Sequence, residues 1–392
     1  MEKKCLEIKN KVECTGCRAC EQLCPVKCIT MIEDEEGFIF PHIDEEKCIN
    51  CGLCKKRCPQ LNKKIENKES KVYAVKAKKE DNALNSTSAG MAYILTKKIV
   101  EDKGVVFGCA YNENLEPVQV KVENEKQLEK LRGSKYVFSN TLHTYTEVKK
   151  ELEDDKKVLY IGTPCQIGGL YAFLGKEYEK LLTIDIVCHG VPSQKMFSKY
   201  IKYLEKTFKQ KVVNYEFRNK DKAIWGEFCA KVTFENNKVR YLDANMDPYY
   251  SNFLKGTIYR ECCYECKYAN TNRIGDITLA DFWGIEQANP KFYSEQGVSL
   301  VFVNTQKGNE IFKNINKSII YCEHTKEEAM KKNGNLIKPT KRLVERNDIY
   351  NGIDNKSEEE FIKTNLKIKG KLKKKIKKML PRKLKNIVKR II

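Results

Sequence analysis

No stretch of these 392 residues is apolar for long enough to cross a bilayer as a helix, and the first residues lack the make-up of a secretory signal. Both absences point to a reducing cytoplasm, where eighteen cysteines serve metal rather than cross-links. Acidic and aromatic residues are both missing from Thr364 to Ile392, where thirteen Lys and Arg collect. Of the net charge of +20, that leaves +7 on the other 363 residues, an ordinary surface balance. A basic tail with no aromatic side chain for base stacking argues against a nucleic-acid partner.

What the sequence has is cysteine in order. Cys14-x-x-Cys17-x-x-Cys20-x-x-x-Cys24-Pro25 recurs as Cys48-x-x-Cys51-x-x-Cys54-x-x-x-Cys58-Pro59. Each run has the full spacing of a bacterial ferredoxin site, in which the fourth Cys ligates the other cluster. Cys14, Cys17, Cys20 and Cys58 are therefore expected on one 4Fe-4S cluster, and Cys48, Cys51, Cys54 and Cys24 on the second. Zinc knuckles rarely use a third Cys at this pitch, and a disulfide framework needs an oxidising compartment. Between the runs, Ile29 to Ile32 and Phe38 to Phe40 read as a hairpin over the clusters, and Cys28 as a small buried residue.

The ferredoxin module should occupy residues 1–62, with a linker over 63–71. Strand and helix patterns then alternate: strands at Val72, Val105, Val118, Val158 and Leu182, helices from Met91, Gln166 and Ser193. Further strands near Val212, Ala230, Ile277 and Val298 make the sheet mixed. The fold class is thus a two-cluster ferredoxin module followed by a larger α/β domain over 72–345 with a mixed sheet.

A second set of cysteines falls where strands end, the ligand-binding side of α/β sheets: Cys165 in Gly162-Thr-Pro-Cys-Gln and Cys188 in Val187-Cys-His-Gly. Cys263-x-x-Cys266 completes four thiolates, enough for a third cluster, with Cys262 competing with Cys263. Three other readings stand beside this one: Cys165 as a low-pKa nucleophile at a helix start, Cys263 and Cys266 as a redox pair, or all four as inert thiols. Cys109, Cys229 and Cys322 sit in apolar strands and read as core.

Gly-Thr-Pro-Cys-Gln-Ile from Gly162, Cys-His-Gly-Val-Pro-Ser from Cys188, Cys263-x-x-Cys266 and Gly275-Asp-Ile-Thr-Leu-Ala-Asp-Phe-Trp-Gly284 together resemble the coenzyme F-420 hydrogenase/dehydrogenase beta subunit family. The resemblance runs in order from about Val72 to Val303. It implies an iron-sulfur flavoprotein that holds FAD beside a 4Fe-4S cluster and exchanges hydride with coenzyme F-420 or another organic acceptor.

Two stretches suit such a cofactor. Asn85-Ser86-Thr87-Ser88-Ala89-Gly90 offers hydroxyls and amides at the start of the helix from Met91, and Arg132 to Ser139 adds cations and hydroxyls for a pyrophosphate. In the family both contact the flavin, and the usual Ser-Gly-Gly is Ser88-Ala89-Gly90 here. The expected contacts are Ser86, Ser88, Gly90, Ser134, Lys135, Tyr136, Ser139, Asp281 and Trp283. Read singly, the first stretch is also a plain helix cap, the second a solvated loop, and Trp283 a core residue. Asp276 lies beside the same strand. His189, next to Cys188, is a candidate proton donor, or a hydrogen-bonded loop residue.

In the tail, over 364–392, Ile376, Met379, Leu380, Leu384, Ile387 and Val388 recur at helical spacing among Lys and Arg, with Pro381 restarting the helix. A basic amphipathic helix suits an anionic membrane surface, peripheral on the inner face of the cell membrane. The functional expectation is a flavin-dependent iron-sulfur oxidoreductase with ferredoxin as the electron donor or acceptor protein. An electron-transfer subunit without its own substrate, and a membrane-associated reductase in surface polysaccharide assembly, are the alternatives.

Overall fold

The computed structural model describes residues 5–8, 10–62 and 69–368. Most of the expected linker, 63–68, and the tail from 369 lie outside the described residues, and with them the amphipathic stripe. Thirteen strands are described: β1 (Ile29–Glu33), β2 (Ile39–Ile43), β3 (Lys71–Ala77), β4 (Val105–Tyr111), β5 (Pro117–Val122), β6 (Val158–Gly162), β7 (Leu181–Ile186), β8 (Val212–Glu216), β9 (Cys229–Phe234), β10 (Val239–Asp243), β11 (Ile277–Asp281), β12 (Ser299–Val303) and β13 (Ile319–His324).

Eight of them form one mixed sheet in the order β13-β3-β12-β11-β7-β6-β4-β5. Its centre, β11-β7-β6-β4, is parallel, and the flanks are antiparallel. The parallel strands are covered on both faces, which is why they read as unbroken apolar runs. Val106, Leu159 and Ile184 turn to the helix Met91–Glu101, whereas Val105, Phe107, Val158 and Tyr160 turn to the helices Thr144–Glu153 and Pro164–Leu174. Each such fully buried side chain contributes about 1.5–3 kcal/mol. Because β6, β7 and β11 run the same way, Cys165, Cys188 and Trp283 emerge at one edge of the sheet.

β8 and β9 correct the sequence expectation. With β10 they form a separate three-stranded antiparallel sheet rather than joining the main one. Their burial alternates along the chain, so only one face meets the core, against Phe197, Tyr200 and Leu204 of the helix Gln194–Phe208. β13, which the sequence reading lacked, closes the far edge beside β3. Cys109, Cys229 and Cys322 are half-buried, not core: Cys229 begins β9, and Cys322 Sγ lies 3.4 Å from His324 Nε2 on edge strand β13.

The front module, with its hairpin β1-β2, is held against this body by buried cations. The Arg346 guanidinium donates to both Glu36 oxygens, at 2.8 and 2.5 Å, and to the Tyr259 carbonyl at 2.7 Å. Arg18 Nε donates to Asn140 Oδ1 at 2.7 Å, and the Thr141 hydroxyl to the Cys17 carbonyl at 3.2 Å. The Arg346 side chain is 1% exposed and that of Glu36 16%, so Arg346→Met strands a carboxylate in a mostly dry site. A loss of about 3 kcal/mol is expected, seen as a lower apparent Tm. Lys363→Met, which breaks a pair exposed on both sides, is expected to leave Tm nearly unchanged. Equal effects would contradict the clamp.

Candidate functional site

Three groups of thiols and one large cavity make up the site. At the front, Gly16 takes a left-handed φ of +69°, turning the chain between Cys14 and Cys17, and a short helix, Ala19–Leu23, carries Cys20. Cys58 joins them from the second run. Burial pushes the Cys20 thiol well above its usual range, and Cys17, Cys14 and Cys58 add to the rise. Cys17 is likewise pushed up to about 12 by burial, with Cys14 and Cys58 contributing. Three thiols of the first run and the fourth of the second therefore share one small cavity.

The exchange is mutual. Cys24 of the first run approaches Cys28 Sγ at 3.4 Å, and Cys28, itself pushed up to about 12 by burial, feels Cys24 and Cys48. Cys54, raised by burial, feels Cys5 and Cys51. Cys28 is buried as expected; Cys5 had no signal in the spacing because it lies outside both runs. Among the described residues no three side chains of the metal-binding types converge as for a single ion. Thiols spread around a common space suit a cube instead, whose ligands attach at separate corners.

The third group stands at the edge of the parallel strands. Cys165 opens the helix Pro164–Leu174, which starts with a capping box between Thr163 and Gln166. Burial pushes its thiol up to about 12, with Cys266, Cys262 and Cys17 adding. Cys188 is raised by burial too, then by Cys165 and Cys266. Cys262 is raised by its hydrogen bond with Cys263 and by burial. The structure thus gathers Cys165, Cys188 and Cys266 with the pair Cys262 and Cys263. Buried thiols held this high are not resident thiolates, which removes the low-pKa nucleophile reading of Cys165; a metal would have to displace their protons on binding.

The first and third groups touch. A Cβ on Gly169 would fall 2.9 Å from Cys17 Cβ and 2.7 Å from Tyr145 Oη, and one on Gly168 would fall 2.3 Å from Tyr268 Oη. Two glycines in mid-helix let its backbone lie directly on a front thiol. This spacing carries no recognisable motif, so sequence reasoning missed it.

Beyond Cys188 opens a cavity of about 440 Å³, within the ordinary range for a bound organic molecule. Ser86, Ser88, Gly90, Ser134, Lys135, Tyr136, Ser139, Asp281, Trp283 and His189 all line it, as does Cys188. Its two walls are tied where the Ser134 amide donates to Thr87 Oγ1 at 2.9 Å. Gly90 has φ +85°, and a Cβ there would strike the Asn82 carbonyl at 2.6 Å, so the tight turn into the Met91 helix requires glycine. Ser88 Oγ, Ser139 Oγ, Gln119 Oε1 and Arg132 Nη1 are buried in its walls without a hydrogen-bond partner. Buried polar atoms of that kind mark a surface built to meet a polar ligand.

Several expected contacts have other duties. Lys135 Nζ donates to the Arg132 carbonyl at 2.8 Å and the Lys130 carbonyl at 3.1 Å, and burial lowers its pKa. Asp281 accepts from Arg218 at 2.9 Å and from Trp225 Nε1 at 2.7 Å, so it orients the wall rather than standing free. Trp225 stacks on Trp283 at 4.6 Å between ring centres. Arg218, Trp225 and Gln119 were missed in the sequence, where none falls in a motif. Asp276 lies away from the cavity, accepting from the Thr183 amide at 2.8 Å and the Thr305 hydroxyl at 2.6 Å to join β7 to β11. Burial lowers the pKa of His189, which makes its ring neutral near pH 7.

Comparison with known proteins follows the same division. The profile of the C-terminal part of the coenzyme F420 hydrogenase/dehydrogenase beta subunits matches residues 155–328. Two profiles of the 4Fe-4S dicluster domain match residues 13–62 and 40–90. The F-type subunit of the F(420)H(2) dehydrogenase of Methanosarcina mazei is 27% identical over 235 residues, covering 55% of this chain and 65% of that one. The coenzyme F420-dependent sulfite reductase of Methanocaldococcus jannaschii is 29% identical over 198 residues, covering 49% and 30% respectively. The chain therefore spans less than two thirds of either relative. Among solved structures, a chain of the F420-reducing [NiFe] hydrogenase complex from Methanosarcina barkeri aligns with a TM-score of 0.48 and 18% identity, covering 69% of this chain and 90% of that one.

Overpacking the helix contact should separate the two thiol groups. Gly169→Val is expected to cost about 1–3 kcal/mol and to lower the iron bound per chain after anaerobic purification. Ala172→Val, half-buried on the same helix, serves as the control. Iron content equal to wild type in Gly169→Val would show that the contact is not required.

Proposed function

This chain belongs to the coenzyme F420 hydrogenase/dehydrogenase beta subunit family and carries a 4Fe-4S dicluster domain at its front, and from that premise we propose that it moves electrons between its clusters and an FAD in the large cavity. It is an iron-sulfur electron-transfer oxidoreductase by relationship; the flavin, the third cluster and the acceptor are the proposed part. The observation that carries the reading is continuity. Cys17 of the front group lies against the helix that begins with Cys165, and Cys188 belongs both to the third thiol group and to the cavity wall.

The residues present fit these groups. Cys14, Cys17, Cys20 and Cys58 would hold the inner front cluster, and Cys48, Cys51, Cys54 and Cys24 the outer one. Cys165, Cys188, Cys263 and Cys266 would hold a third. In the cavity, the unpartnered Arg132 Nη1 and the Ser88 and Ser139 hydroxyls suit a pyrophosphate, and Trp283 offers a flat face for a ring system. FAD, when bound, exchanges single electrons with clusters and electron pairs with an organic acceptor. Neutral His189, at the Cys188 end of the same wall, is suited to hold or pass a proton, and the buried Asp281–Arg218 pair keeps that wall in place.

Cys51 is exposed whereas Cys14, Cys17 and Cys20 are covered, so the outer cluster is the port where a ferredoxin-like carrier would meet the chain. The acceptor would be coenzyme F-420 or a related organic molecule. A relay subunit docking on a catalytic partner is the second reading, favoured by the names of the relatives and by how little of their length this chain spans. The anionic membrane surface enters as a further proposed partner for the tail.

Anaerobic purification with iron, sulfide and flavin quantification tests the scheme. About twelve iron atoms and one FAD per chain are expected from three cubes. Arg132→Met should lower the flavin content and leave the iron unchanged. Eight iron atoms without flavin would contradict the proposal.

A further inference from the structure

Arg260 is 1% exposed and lies between the first and third thiol groups. Its backbone amide donates to the Val191 carbonyl at 2.9 Å, tying it to the loop that follows Cys188. Its side chain crosses into the front module. Nε donates to the Cys14 carbonyl at 2.9 Å and Nη2 to the Ile39 carbonyl at 2.9 Å, while the rings of Phe38 and Phe40 lie 5.3 and 4.3 Å from the guanidinium carbon. The remaining nitrogen, Nη1, is buried without a hydrogen-bond partner and faces the turn at Gly16, where a Cβ would fall 3.1 Å from it. Two carbonyls and two rings fix the group, yet no carboxylate neutralises it. Burying such a cation is costly unless a counter-charge comes with the ligand.

On the reading that Cys14, Cys17, Cys20 and Cys58 hold a cluster, we propose that Arg260 is a positioning residue that raises the reduction potential of this inner front cluster above that of the outer one. Reduction adds one negative charge to a cube, and a fixed cation with a free N–H beside the Cys14 loop stabilises the reduced form. Cluster potentials respond to net charge, hydrogen bonds to sulfur and solvent exposure, and Arg260 supplies the first two in a dry site. An electron entering at the outer cluster is thereby drawn inward, leaving the outer cluster oxidised and the inner one reduced, with no other reactant required.

The test is a redox titration of the purified holoprotein followed by EPR, comparing wild type with Arg260→Met, Arg260→Lys and Arg346→Met. In Arg260→Met one midpoint should move to more negative potential while the others and the iron content hold. Arg260→Lys, which keeps the charge but not the fork, should move the same midpoint less. Arg346→Met loosens the same module without reaching a thiol and should move none. Unchanged midpoints in Arg260→Met, or the same shift in Arg346→Met, would overturn the proposal. Should Arg260→Met fail to assemble, wild type grown on arginine labelled with nitrogen-15 decides. Pulsed EPR of the reduced protein should then show a guanidinium nitrogen coupled to a cluster, and its absence is a refutation. A wild type that binds no front clusters would sink the underlying reading instead.

Discussion

The approach of one helix backbone to one cysteine is the constraint around which this molecule is arranged. Charge transfer between redox centres demands that they be near, and side chains keep helices and neighbouring loops apart. Gly168 and Gly169 remove that spacer where the helix Pro164–Leu174 meets Cys17 and Tyr268. Glycine inside a helix costs roughly 0.5–1 kcal/mol relative to alanine. Here the cost is offset by packing on the apolar inner face of the sheet, where Ile167 and Leu170 are fully buried. The parallel order β11-β7-β6-β4 then brings Cys165, Cys188 and the cavity wall to a single edge.

Buried arginine holds the arrangement. Arg346 ties the hairpin turn through Glu36, Arg273 joins Asp185 and three carbonyls beneath the third group, and Arg260 crosses between modules. The first two have carboxylate partners, which is how a buried charge is ordinarily sustained. Arg260 has none, and the thiol groups on either side of it are where anionic clusters would sit. The same electrostatics explain the thiols: without metal, burial holds Cys17, Cys20, Cys165 and Cys188 protonated, so cluster binding and proton release are coupled.

The sequence carried the local chemistry well and the long-range placement poorly. Cysteine spacing in the two runs foretold that Cys58 would join Cys14 and Cys24 would join Cys48, because cluster ligation in a short loop leaves few geometries. Central strands announced themselves as unbroken apolar runs. The separate sheet β8-β9-β10 was misassigned because a strand pattern states which faces are buried, not which sheet receives them. Arg218, Trp225, Gln119 and Arg260 act through partners between 21 and 246 positions away, and no window of sequence holds such pairs together. Asp281 sat in a recognisable motif, yet its role, bracing Arg218 and Trp225, became visible only in three dimensions.

The central claim is an unbroken path from an exposed thiol group through two buried ones to a cavity. Continuous-wave EPR of the fully reduced protein tests it most directly, because paramagnetic clusters this close broaden and split one another's signals. The account predicts a spectrum of interacting spins that no sum of isolated clusters reproduces, simplifying when the inner front cluster is lost in Cys58→Ser. Separate, unbroadened signals in the wild type would contradict it.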